Sequence, residues 1–90
     1  MRIEFGRLFK KHFKQRVPKD SALKKRYLER VTLFTINPSD PILKDHKLTG
    51  KMREYRSFSI KGDFRVVYRK ESETVVTFTD IGTHPQVYGD

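Results

Sequence analysis

Residues 2 to 5, Arg-Ile-Glu-Phe, alternate charged and apolar side chains, the spacing of a short edge strand. From Phe5 the period lengthens. Phe5, Leu8, Phe9, Phe13 and Val17 recur at helical spacing, with Arg7, Lys10, Lys11, Lys14 and Arg16 over the remaining surface. Pro18 stops this helix, and Asp20 or Ser21 is placed to cap a second. Leu23, Tyr27, Val31 and Phe34 draw the second apolar stripe, widened by Leu28 and Leu33. So short a connection predicts two antiparallel helices.

Two prolines and turn formers at 37 to 41 end the second helix, and 42 to 51 show no clear period, which predicts a loop crossing to the sheet. After Gly50 the period becomes two. Phe58 and Ile60 share one face against Tyr55, Ser57 and Ser59; beyond the turn Lys61-Gly62-Asp63, Phe64, Val66 and Tyr68 oppose Asp63, Arg65, Val67 and Arg69. A second turn at 71 to 73 leads into a third strand ending near Ile81. The pattern is an α+β domain in the order β-α-α-β-β-β, residues 1–90, with an antiparallel meander showing one face to the helices and the other to solvent.

Ninety residues allow one small core, so function has to sit on a surface groove or a sheet edge. Twenty Lys and Arg against eleven Asp and Glu give a formal charge of +9, which makes nucleic acid the default partner and an acidic protein the alternative. There is no cysteine, which removes disulfides, thiolate metal sites and a thiol nucleophile together. No apolar run is long enough to span a bilayer, and the charged amino terminus lacks the apolar stretch of a signal peptide. The expectation is a soluble, cytoplasmic protein that needs no cofactor.

Three histidines supply the side chains that titrate near neutrality. His12, among Lys10, Lys11 and Lys14, reads as a solvated surface group. The meander gathers the others: Asp45 and His46 from the loop entering the sheet, Asp63 and Arg65 on the solvent face of the central strand, and His84 just beyond the last strand. Such a set suits RNA cleavage. That reaction takes a proton from a ribose 2′-hydroxyl, steadies an in-line phosphorane and protonates the departing 5′-oxygen, with a guanidinium matching the phosphoryl oxygens. Each residue also has a plainer reading. Asp45 and His46 fit a turn, Asp63 a hairpin end, Arg65 a surface bridge to Glu54, and His84 before Pro85 a tail along an edge strand. No HExxH, CxxC or acidic cluster marks a metal site.

"LKDHKLTGKMREYRSFSIKGDFRVVYRKESETVVTFTDIGTHPQVYG", residues 43 to 89, resembles the YafQ branch of the RelE/ParE superfamily of bacterial toxins, through "KDH.L.G", "YR", "GDFRVVY" and the closing "GTH....YG". The amino-terminal half agrees only in carrying two basic amphipathic helices. The resemblance implies a RelE-like, microbial ribonuclease-type fold and the toxin of a type II toxin-antitoxin system: an mRNA endonuclease acting on the ribosome. It implies His46, Asp63 and His84 as acid/base groups, and Arg65, Tyr88, Phe64, Lys44, Lys47 and Lys51 as phosphate or RNA contacts. The expected partners are mRNA in the ribosomal A site, ribosomal RNA along the helices, and an antitoxin that in turn binds operator DNA. Two positions depart from the family pattern: Ser59 stands where a histidine is expected and Phe64 where a tryptophan is common. The alternatives are a non-enzymatic toxin of the ParE kind that binds DNA gyrase, for which the acid/base set has no use, and a decayed toxin retaining only antitoxin and operator binding.

Overall fold

The computed structural model describes residues 1–89. Strand β1 (Arg2–Phe5) leads into helices α1 (Arg7–Arg16) and α2 (Ala22–Ile36). Strands β2 (His46–Lys47), β3 (Arg56–Lys61), β4 (Phe64–Lys70) and β5 (Val75–Gly82) follow, and helix α3 (His84–Tyr88) closes the order. Short 3₁₀ turns at Pro41–Leu43 and Gly50–Met52 flank β2. The sheet runs β1-β5-β4-β3-β2, with β2 to β5 antiparallel and β1 parallel to β5.

The predicted α+β class and the central meander agree with this structure, and four local expectations change. Phe5 ends β1, paired opposite Phe78 as the alternation at 2 to 5 predicts, and does not open the helical stripe, and Leu8 is exposed rather than part of that stripe. The stretch expected to be a loop contributes β2, whose His46 and Lys47 pair with Ser57 and Arg56. The sheet is mixed rather than purely antiparallel. The carboxy-terminal residues coil into α3 instead of lying along an edge. Pro85 sits in that helix's first turn, where its missing N–H costs nothing, and Gly89 ends it in the left-handed region at φ 75°.

The helices cover one face of the sheet. Ser21 caps α2 by accepting from the Lys24 amide at 3.0 Å. Phe9, Tyr27 and Phe34 descend from the helices onto Phe58, Ile60, Val66, Tyr68, Val76, Phe78 and Ile81. Aromatic packing dominates: the Phe34 and Phe58 rings stack with centroids 4.6 Å apart, and Tyr27 meets Phe13 edge-on at 4.8 Å. Burial raises the Tyr27 hydroxyl to a pKa of about 12.

The other face, expected to meet solvent, is partly covered. Val87 of α3 packs with Leu48 and Val67, and Met52, Tyr55 and Tyr88 surround them. Ser57, Ser59 and Arg65 are buried as a result. No helix among the described residues is long and apolar enough to cross a membrane.

Candidate active site

Between α3 and the segment from β2 to the second 3₁₀ turn lies a cleft of about 380 Å³, lined by His46, Leu48, Thr49, Lys51, Met52, His84 and Tyr88. Local chain features deliver each wall. Gly82 and Thr83 end β5, and the Gln86 side chain accepts from the Thr83 amide at 2.8 Å, which starts α3 with His84 in its first turn. One helical turn on, Tyr88 stands edge-on to His84 with ring centroids 4.4 Å apart. Across the cleft, Lys44 takes a left-handed conformation at φ 49°, which swings the chain from the first 3₁₀ turn into β2 and sets His46 at its start.

Beneath this cleft lies Arg65, on β4 and only 9% exposed. Its Nε donates to Ser57 Oγ at 2.6 Å, and its Nη2 donates to the Lys44 carbonyl at 3.0 Å. Ser57 Oγ also meets the Tyr88 hydroxyl at 2.7 Å, so one fully buried serine ties the guanidinium to α3. Among the described residues no carboxylate pairs with Arg65. Among the described residues no fully occluded side-chain nitrogen or oxygen lacks a partner, so Nη1, for which no hydrogen bond is seen, keeps some contact with solvent. A buried cation with a free donor and no counterion is a site that favours an anion.

The hydrogen bonding around His46 favours one tautomer. Its Nδ1 is 3.0 Å from the Lys44 carbonyl and 3.5 Å from Arg65 Nη2. A carbonyl only accepts and a guanidinium only donates, so Nδ1 cannot satisfy both. Assigned by the shorter contact, the proton sits on Nδ1, which leaves the basic lone pair of neutral His46 on Nε2.

Several expected site residues stand elsewhere. Asp45 is half-buried and stands away from the cleft, where it accepts from Arg56 Nε at 2.8 Å and from the Tyr68 hydroxyl at 2.5 Å. That makes it a structural carboxylate between sheet and loop; burial and then the Asp45 hydrogen bond push the Tyr68 hydroxyl upward. Phe64, expected to contact RNA, has its side chain in the helix-side core with Phe58 and Val66. Arg65 makes no bridge to Glu54. Asp63 is exposed on the turn after Gly62, outside the cleft lining; the strand it leads into puts Arg65 opposite Gly82, at the same end of the sheet as His84. Lys51 lines the cleft, Lys44 contributes its carbonyl, and Lys47 borders a separate recess with Arg53, Tyr55, Arg56 and Lys70. His12 is not a solvated group: its Nδ1 lies 2.6 Å from Asp80 Oδ1. Ser57 was the residue sequence reasoning passed over, and its one signal was a small polar residue on the face opposite Phe58. Among the described residues no group of three or more His, Cys, Asp or Glu gathers to hold a metal ion.

This fold, two helices on one face of a mixed sheet and a short terminal helix on the other, is that of small bacterial toxins. YafQ from Escherichia coli strain BL21(DE3) superposes on it with a TM-score of 0.82, covering 99% of this chain and 100% of that one at 24% identity. A metal-bound toxin from Helicobacter pylori is 31% identical over 97% of this chain and 98% of its own, with a TM-score of 0.73. The toxin in the E. coli DinJ-YafQ complex is 25% identical over 99% and 100%, with a TM-score of 0.75. At the level of sequence, residues 1–89 match the family of bacterial toxins of type II toxin-antitoxin systems, YafQ, and the chain belongs to that family. A comparison with curated proteins finds no match.

Proposed function

We propose that this toxin is an mRNA endonuclease that works on the ribosome, with Arg65 as the phosphate anchor and His46 and His84 as its acid/base pair. The observation that carries the reading is Arg65, a buried guanidinium without a carboxylate beneath a cleft walled by two histidines. The scissile phosphate supplies the missing negative charge. His46 Nε2 takes the proton of the ribose 2′-hydroxyl as the 2′-oxygen bonds to phosphorus. The bond from phosphorus to the 5′-oxygen breaks, and protonated His84 gives its proton to that oxygen. The products are a 2′,3′-cyclic phosphate and a 5′-hydroxyl. Asp63, exposed on the turn and outside the cleft lining, serves as an accessory proton carrier, which makes it the least demanding of the three.

Tyr88 faces His84 and presents its ring as one wall on which a base stacks. Lys51 adds a phosphate contact beside the cleft. With so small a surface the chain borrows the A site to align mRNA, and Lys10, Lys11, Lys14, Lys24, Lys25 and Arg26 meet ribosomal RNA. The E. coli relative solved with DinJ supports an antitoxin partner here too, one that masks the basic surface and binds operator DNA.

Programmed ribosomes incubated with purified toxin test this reading. Cuts within the A-site codon ending in a cyclic phosphate are expected, absent in His84→Ala and in His46→Ala. A double variant of His46 and His84 that still cuts would overturn it.

A further inference from the structure

Strand β1 accompanies β5 only as far as Phe5, opposite Phe78. The Gly6 amide then donates to the Phe78 carbonyl at 2.9 Å and the chain turns away into α1. From that point β5 has no strand on this side, along the very segment that delivers His84. The register against β4 also slips between Val67 and Tyr68, a bulge at Thr79 that bends the strand. Unpaired backbone on a bent edge is where a strand frays.

Side chains of α1 and β5 stand in for the absent strand. Arg16 Nη1 donates to the Ile81 carbonyl at 2.9 Å. Asp80 Oδ1 accepts from the Ile81 amide at 2.8 Å and pairs with His12 Nδ1 at 2.6 Å and Arg16 Nη1 at 3.5 Å. The three side chains are only 16%, 19% and 15% exposed in the order His12, Arg16, Asp80, so water competes weakly for these bonds. Gly82 lets the guanidinium approach: a Cβ there would lie 2.7 Å from both Arg16 Nη1 and Gln86 Oε1. Together with the Gln86 bond to Thr83, side chains hold the backbone from Ile81 to the residue before His84.

We infer that His12, Arg16 and Asp80 form a brace that replaces a missing strand neighbour and holds His84 in register with the cleft. None of the three lines the cleft, so they are positioning residues. The catalytic consequence rests on the nuclease reading above; the geometric one does not. Displacing a catalytic group by about 1 Å costs on the order of a hundredfold in rate.

The experiment compares wild type, Arg16→Ala, Arg16→Lys and Asp80→Asn in full-length toxin, with cleavage kinetics on programmed ribosomes and the imidazole resonances of all three histidines by NMR. In Arg16→Ala the His84 resonances shift while those of His46 stay, and kcat falls about ten- to hundredfold with KM unchanged. Arg16→Lys, which keeps a donor for the Ile81 carbonyl, recovers most of the rate. A folded Arg16→Ala with unmoved His84 signals and wild-type kcat overturns the brace. Should Arg16→Ala unfold, Asp80→Asn decides on the same readouts, since it keeps an acceptor oxygen for the Ile81 amide and loses the charge. If wild type itself cuts nothing, the nuclease reading falls and the His84 resonances alone decide the brace.

Discussion

Arg65 concentrates the chemistry of the cleft in one side chain. Its position on β4 was evident from alternation, which put it on the face away from Phe64 and Val66, but its burial was not, because the residues that cover that face come from α3. A lysine at this position keeps the charge and loses the planar fork that reaches both Ser57 Oγ and the Lys44 carbonyl. Arg65→Lys is therefore expected to lower kcat on ribosomes on the order of a hundredfold, and to lower the thermal midpoint by several degrees as these buried hydrogen bonds are lost, the kcat loss persisting well below that midpoint. Asp63→Asn, by contrast, removes a carboxylate outside the cleft lining, and a loss of about tenfold or less is expected in the same assay. Equal losses for Asp63→Asn and His84→Ala would mean that the turn closes onto the substrate.

At the scale of elements, α3 is held by few contacts and does a great deal with them. Val87 gives it an apolar foot on Leu48 and Val67, and the Tyr88 hydroxyl gives it one polar tether to Ser57. Tyr88→Phe removes that tether and keeps the ring, at an expected cost of about 1 kcal/mol in the local stability of α3. Faster amide exchange at Val87 and Gly89, with β4 unchanged, is the measurement that checks it. The same element explains what the sequence could and could not disclose. Strands β3 to β5 were legible because period two persists over six to eight residues in each. β2 has two residues and therefore no period, while in α3 a proline in second place reads as a stop. His12 looked solvated because its neighbours in sequence are lysines; its partner Asp80 is 68 residues away, a separation no local pattern reveals. His46 and His84 line one cleft because α3 folds back from the end of β5 across β4, with Val87 packed on Val67 and Leu48.

The whole molecule responds to pH and salt through groups already described. Tyr27 titrates at about 12 and Tyr68 is raised as well, each chiefly by burial. A phenol raised in the folded state ionises first in the unfolded chain, so the unfolded state holds fewer protons and stability falls as pH rises. The contribution is intact below pH about 10, the unfolded value, and declines above it through the folded values. Urea midpoints are expected to be flat from pH about 8 to about 9.5 and to drop beyond about 10, with phenolate absorbance for these two residues appearing only on unfolding. With a formal charge of +9, association with ribosomes should weaken steeply between about 50 and about 200 mM salt, raising KM and sparing kcat at saturation. The pairing of β1 with β5 has a further consequence, in time rather than space. Strand β1 finds its neighbour only in β5, which is made after β2 to β4, and the helix bearing His84 follows β5. A nascent chain interrupted before β5 leaves β1 without its sheet partner and the segment bearing His84 unmade, so the cleft walled by His46 and His84 is the last part of the molecule to be completed.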